Sequence, residues 1–306
     1  MICGPTASGK TAIGAELAKR LNGEIISADS MQIYKGMDIA SAKPSEEEKQ
    51  GIPHHLMDFL PLNKTFSVAD YVNLAHSCIK EITGRGKLPI IVGGTGLYIS
   101  SLINNITFDD TGSDPAFRDE MREFAAQNGN AALHKKLEEI DPQTAAKLHP
   151  NNVNRIIRAL EVYRLSGTAM SLAQEKSRQQ ESPYRTCIIM PDFPREQLYH
   201  RINLRADDMI KRGLVEEARE FFTHDDYVTS AQAIGYKELK PYFDGEKSLD
   251  ECIDRLKQAT RNYAKRQLTW FGKMPDLHKI NLDLASDSTK IYEIAENLVK
   301  RYSFFL

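Results

Sequence analysis

Through the first third of the chain, short apolar runs alternate with amphipathic stretches, the pattern that parallel α/β units write into a sequence. Residues 24–28 (EIISA) and 88–92 (LPIIV) read as buried strands, and each ends in a polar or glycine-rich turn. Such turns, at the carboxyl ends of strands, are where α/β proteins place their sites. A helix over 10–21 follows the first of them. Beyond about Phe108 the pattern changes. Asp114-Pro115 and Asp141-Pro142 are each an N-cap followed by proline at the first helical position. A further helix is predicted over 153–165, stopping near Gly167, and no strand pattern occurs as far as Ser182. Residues 185–190 (RTCIIM) then read as a return to the sheet, followed by helices over 195–212, 214–222 and 250–272, a short strand at 278–282 and a closing helix. The expected fold class is α/β: a core formed by 1–109 and 184–306 around a parallel sheet flanked by helices, which the G-x-x-x-x-G-K-[ST] spacing at 4–11 makes P-loop NTPase-like, with an all-helical insertion over 110–183.

Composition adds limits to that outline. The chain has 306 residues, 41% hydrophobic and 27% charged, as a soluble protein with a real core does. No apolar run approaches the ~20 residues that span a bilayer. With a glycine-rich motif in place of a signal peptide, the expectation is a cytoplasmic protein. Cys3, Cys78, Cys187 and Cys252 are too dispersed for a zinc or redox motif, and the histidines form no metal-spaced cluster. Net charge is −2, yet the stretch from Arg255 to Lys273 carries six basic residues and no acid, so a polyanion has one place to sit.

The chemistry begins at Gly4-Pro5-Thr6-Ala7-Ser8-Gly9-Lys10-Thr11, which fits G-x-x-x-x-G-K-[ST] at every fixed position. Small residues let backbone amides curl around a phosphate, and the helix that follows aims its positive end at it. Lys10 supplies a point charge and the Thr11 hydroxyl a ligand for Mg²⁺. Only Met1, Ile2 and Cys3 precede the motif, where a P-loop ordinarily follows a full strand. The second strand ends in Gly93-Gly94-Thr95-Gly96 and carries no acid, unlike the strand-end acids that help NTPases hold Mg²⁺. That turn suits a pyrophosphate held as a leaving group, or is simply a tight strand-to-helix turn capped by Thr95. Asp29, at the end of the other strand, has the position of a general base, of an indirect partner of Mg²⁺, or of a turn cap.

Taken together, these segments resemble the tRNA dimethylallyltransferase (tRNA isopentenyltransferase) family. The resemblance is carried by GPTASGKT at 4–11, SADSMQIYKGMDIASAKP at 27–44, PHHLMD at 53–58, PIIVGGTGLY at 89–98, HPNNVNRIIRALEVY at 149–163, QAIGYKE at 232–238 and AKRQLTWF at 264–271. It spans nearly the whole chain. It implies Mg²⁺-dependent transfer of a dimethylallyl group from dimethylallyl diphosphate to N6 of the adenine immediately 3′ of the anticodon, in tRNAs reading codons that begin with U. Asp29 is implied as the base, with Lys10, Thr95 and Arg205 as the groups that stabilise the departing diphosphate. Gly4, Thr6, Ala7, Ser8, Gly9 and Thr11 join Lys10 in the diphosphate cradle.

On the RNA side, the resemblance implies the tRNA anticodon stem-loop as partner, met by Asp29, Ser30, Met31, Gln32, Arg155, Arg158, Gly235, Tyr236, Lys237, Lys265, Arg266 and Gln267. Gln32 is expected to pair with an adenine edge. Arg155 and Arg158 share a helix face, as do Lys257, Arg261 and Lys265. Tyr263, Trp270 and Phe271 either stack on bases or fill the core. The helical insertion fits the family's tRNA-binding domain. The absence of the zinc finger that ends eukaryotic members implies a bacterial-type enzyme, expected to be a monomer. Two rivals remain at this stage: a small-molecule or nucleotide kinase, suggested by the P-loop alone, and a non-enzymatic RNA-binding P-loop protein.

Overall fold

The computed structural model describes residues 1–106, 112–178, 182–224, 229–282 and 288–302. The chain divides into two compact units, Met1–Leu102 with Tyr184–Leu306, and Ile103–Pro183. The expected domain boundary at 109–110 lies outside the described residues.

Among the described residues the first unit contains six strands: β1 (Ile2–Cys3), β2 (Gly23–Ser27), β3 (His54–His55), β4 (Leu88–Gly93), β5 (Ile188–Asp192) and β6 (Leu277–Asn281). Its helices before the insertion are α1 (Lys10–Arg20), α2 (Glu46–Lys49), α3 (Val68–Gly84) and α4 (Gly96–Ile103). The insertion holds α5 (Pro115–Asn128), α6 (Asn130–Ile140), α7 (Pro142–Ala145), α8 (Val153–Ser166) and α9 (Met170–Arg178). After it come α10 (Arg195–Lys211), α11 (Leu214–Phe221), α12 (Tyr236–Phe243), α13 (Leu249–Phe271) and α14 (Ser288–Tyr302).

The sheet order is β3-β2-β4-β1-β5-β6 and every pairing is parallel. Because parallel strands share one carboxyl edge, the turns after β1, β4 and β2 lie side by side there. Strand β2 is buried at all five positions, as a strand covered on both faces must be. One of those positions is an acid, Glu24. Lys87, His55 and Arg85 donate to it at 2.8, 2.7 and 2.6 Å. The bond from Lys87 leads in holding its pKa near about 2 against the upward push of burial.

Strand β1 is as short as the sequence implies, yet Ile2 pairs with Val92 on one side and Ile189 on the other. Strand β5 begins three residues later than the apolar run suggests and extends to Asp192. The apolar run continues into Pro191, and it is pairing with β6 that decides where the strand stops. Strand β3 has no sequence signal: two histidines become a strand only because β2 offers them an edge.

The second unit is helical throughout its described residues. Asp114 and Asp141 cap α5 and α7 by accepting from Phe117 N and Thr144 N, both at 3.0 Å, with proline at the first position of each helix. Gly167 closes α8 with φ of 68°, in the left-handed region that glycine enters freely. Leu133, Leu137, Ile156 and Ile157 form the centre of its core. On α8, Glu161 is fully buried and accepts from Arg118 (2.7 and 2.8 Å), Arg158 (2.5 Å) and the amide of Asp114 (2.8 Å). Burial alone would raise its pKa, but the bonds from Arg118 and Arg158 outweigh that and set it at about 2.

Because the folded pKa is depressed, this stabilisation is present above the unfolded glutamate value and lost as pH falls toward about 2. Glu161→Gln should therefore destabilise the protein by about 2 kcal/mol, below the usual cost of breaking a buried pair because both arginines are partly exposed. Thermal unfolding of the variant should also lose part of the wild type's dependence on pH between about 4.5 and 2.

Candidate active site

Three neighbouring turns at the carboxyl edge of the sheet build the site. The first is the phosphate loop between β1 and α1. Gly4 has φ of 134°, and a Cβ there would lie 3.0 Å from the Met190 side chain, so both backbone and packing require glycine. Gly9 enters α1 at φ 83° and Ala7 also takes a left-handed conformation, with φ of 61°. The fold of this loop is held from inside by Ser8 Oγ and Lys10 Nζ, which donate to Pro5 O at 2.8 and 2.5 Å. From outside, Arg201 Nε donates to Ala7 O at 3.0 Å. The Thr6 amide, expected on a diphosphate, instead donates to Gln267 Oε1 at 2.9 Å.

The second turn follows β2. Asp29 Oδ1 accepts from Met31 N at 2.9 Å and Gln32 N at 3.4 Å, so one carboxylate oxygen caps the turn. Asp29 also lines the cavity described below, which makes cap and chemistry compatible in one residue. The third turn, after β4, is tied to the second: Thr95 N donates to Ala28 O and Thr95 Oγ1 accepts from Ser30 N, both at 3.0 Å. Its glycines answer to close packing. A Cβ on Gly93 would stand 2.2 Å from Ala28 O, one on Gly94 2.3 Å from Gln267 Nε2, and one on Gly96 2.4 Å from the Trp270 ring.

A cavity of about 250 Å³ opens beside these turns. Thr6, Asp29, Arg205, Lys237, Tyr263 and Arg266 supply polar walls, and Ile202, Ala206, Met209 and Leu256 an apolar one. A small, largely apolar pocket with a few convergent polar groups is the usual form of a ligand site. Burial, and then the charge of Arg205, lower the pKa of Lys10 to about 8, while Asp29 pulls it upward. Burial likewise lowers Arg205, with Glu48 and Asp29 opposing. Two cations held against desolvation at one place favour an anion strongly. Burial and the charge of Asp29 push the Tyr263 phenol upward, so it stays protonated as a donor beside the carboxylate.

The residues expected to meet RNA divide into two groups. Asp29, Ser30, Met31, Lys237 and Arg266 line the cavity, and Lys265 is exposed on α13. Gln32, Gly235, Tyr236 and Gln267 are engaged within the protein. Gln32 Oε1 accepts from Ser27 Oγ at 3.0 Å and its Nε2 donates to the carbonyls of Ser41 and Ala42, so its amide shapes the 27–44 loop. Tyr236 is 1% exposed and donates to Glu217 at 2.9 Å. Gly235 has φ of 116° and its amide caps α12 onto Glu238. Gln267 is buried between Thr6 and Gly94.

Of the basic row on α13, Lys257 pairs with Asp207 and Arg261 with Asn203, both at 2.6 Å. Phe271 is core, and Trp270 donates to Ser100 at 2.9 Å. In the helical unit Arg158 spends one nitrogen on Glu161, while Arg155 is exposed. Arg201 and Glu217 had been missed. Arg201 stands four residues before Arg205 on α10, a spacing that places both on one face. Glu217 accepts the amides of Asp38, Ile39 and Ala40 at 2.8–3.0 Å, and nothing in its local sequence announces that role.

Among the described residues no group of three or more histidine, cysteine or acidic side chains could hold a metal ion, and no helix is long and apolar enough to cross a membrane. The four cysteines are free thiols.

The family model described as IPP transferase matches residues 32–274. A tRNA dimethylallyltransferase of Acetivibrio thermocellus is 48% identical over 100% of this chain and 98% of its own length. One from Geobacillus thermodenitrificans is 52% identical over 90% of this chain and 88% of its own. Among solved structures, the tRNA isopentenylpyrophosphate transferase of Bacillus halodurans superposes with a TM-score of 0.72 at 44% identity, covering 99% of this chain and 96% of that one. A eukaryotic dimethylallyltransferase acting on tRNA gives 0.80 at 29% identity, covering 98% and 79%.

Binding of a diphosphate should raise the Lys10 pKa from about 8. Its contribution to affinity is then complete below pH 8 and lost as pH rises through the bound-state value. Titration calorimetry with inorganic pyrophosphate at pH 8, in buffers of different ionisation enthalpy, should show proton uptake that disappears in Lys10→Met.

Proposed function

The chain belongs to the IPP transferase family, and from that premise we propose that it transfers a dimethylallyl group from dimethylallyl diphosphate to N6 of the adenine immediately 3′ of the anticodon. The products are N6-isopentenyladenosine and pyrophosphate. The observation that carries this reading is a cavity in which a carboxylate, Asp29, and a half-buried arginine, Arg205, share an apolar wall. A phosphoryl-transfer site needs an acid to hold Mg²⁺ and a place for water or hydroxyl. A prenyl-transfer site needs a base, an anion clamp and a dry surface for an allyl chain, which is the donor set present here.

In the proposed reaction the N6 lone pair forms a bond to the first allylic carbon as the bond from that carbon to the diphosphate oxygen breaks. The electron pair leaves with the diphosphate, and Lys10, Arg205 and the amides following Thr6 stabilise its charge. The proton from N6 passes to Asp29, whose second oxygen is not needed for the turn. Thr95 keeps the Asp29 turn in register with the turn after β4 through Ser30. The Thr11 hydroxyl would hold Mg²⁺, a cation that needs few protein ligands where a substrate supplies phosphates. When bound it would neutralise charge on the leaving group.

The adenine must leave its stack to reach Asp29, so the RNA is expected to be read as an opened loop. Lys237, Lys265 and Arg266 then serve the phosphates around it, and Arg155 with the free edge of Arg158 serves the stem, in tRNAs reading U-initial codons. The enzyme is proposed to work as a cytoplasmic monomer.

Incubation with dimethylallyl diphosphate, Mg²⁺ and unmodified tRNA should yield adenosine heavier by one dimethylallyl group in nucleoside mass spectrometry. Asp29→Ala should reduce turnover about 10²–10⁴-fold, the range for loss of a general base, with tRNA affinity nearly unchanged. Tight tRNA binding by wild type with no modified nucleoside would favour an RNA-binding protein instead.

A further inference from the structure

We propose that Gln267 is a positioning residue that sets the spacing between the phosphate loop and the turn after β4, and so fixes where a diphosphate binds. The inference rests on the prenyl-transfer reading and adds to it a residue that touches no substrate. Gln267 is 5% exposed, and its amide is used at both ends: Oε1 accepts from Thr6 N and Nε2 donates to Gly94 O, each at 2.9 Å. These partners belong to adjacent turns, and one planar amide bridges them. Only one orientation works, because a flipped amide would set donor against donor and acceptor against acceptor.

The glycines of the opposite turn record how close this approach is. A Cβ on Gly94 would lie 2.3 Å from Gln267 Nε2, and one turn along α13 the Trp270 ring leaves no room for a Cβ on Gly96. The face of α13 that carries Gln267 is thus pressed against the turn that carries Thr95, with Ala264 fully buried beneath it. Thr6 lines the cavity directly, so a shift in its backbone moves the cavity wall. Both polar atoms of Gln267 are engaged by backbone groups of these two turns and the side chain is nearly fully buried, which favours positioning over a grip on RNA.

The test compares Gln267→Met, which keeps length and loses both bonds, with Gly94→Ala, which drives the amide out from the other side. Each is titrated with inorganic pyrophosphate and Mg²⁺, then with unmodified tRNA, and assayed with both substrates varied. Loss of a buried bridge of this kind should weaken pyrophosphate roughly tenfold or more. The KM for dimethylallyl diphosphate should rise in parallel while tRNA affinity stays within about twofold. Because both substitutions break one contact, the double variant should be little worse than either alone. Weakened tRNA binding with intact pyrophosphate affinity would overturn the proposal and make Gln267 an RNA contact. So would simple additivity of the two substitutions, or unaltered pyrophosphate binding in both. If wild type binds pyrophosphate but prenylates no adenosine, the transfer reading fails, while the role of Gln267 is still decided by the pyrophosphate titrations.

Discussion

Ile2 and Cys3 are paired on one side with Val92 and Gly93 of β4, and Ile2 is paired on the other with Ile189 of β5. Two residues are a meagre strand, yet they occupy a central position in a six-stranded parallel sheet, and they alone fix where the phosphate loop begins. Since β4 separates β1 from β2, the phosphate loop, the Thr95 turn and the Asp29 turn emerge as successive neighbours. Every later contact, Thr95 with Ser30 and Gln267 with Thr6 and Gly94, joins turns that the strand order has already placed together. Side chains refine this spacing. They do not create it.

The cavity beside those turns joins two environments that conflict energetically. Its apolar wall is continuous with a core built around Tyr34, Met37, Leu214, Tyr236 and Leu256. Against it sit Arg205 and, close behind, Lys10, both held below their ordinary pKa by burial. Burying cations so near each other costs stability, and the sheet, the helix caps and the packed core supply the margin that permits it. An anion placed there would relieve that cost.

Several polar residues in the RNA-directed motifs also fasten the protein to itself. Tyr236 and Gly235 organise the start of α12, Gln32 holds the 27–44 loop, and Gln267 ties α13 to two turns. Glu217 receives three backbone amides from residues 38–40 and the Tyr236 hydroxyl, so α11 and α12 clamp the same loop that presents Asp29 and Met31. Motifs of this kind mix residues that meet ligand with residues that hold those in place. Residue type does not separate them, because glutamine, tyrosine and arginine serve either purpose.

Local chemistry made much of the fold legible in advance. The P-loop spacing, the Asp-Pro helix starts, the glycine stop of α8 and the apolar runs of β2 and β4 depend on neighbours within a few residues, and each forms close to where the sequence indicates it. Lys10 and Asp29 likewise stand at strand-end turns, where α/β proteins place their sites. What required the tertiary structure was everything settled by partners far along the chain. The histidine strand β3 exists only because β2 has a free edge, and β5 is shifted by its pairing with β6. The mutual fit of Gly94 with Gln267, 173 residues apart, is likewise invisible locally. Sequence determines backbone preference and burial period over a turn or two. Which buried amide meets which carbonyl depends on packing between distant elements, and no local preference encodes that.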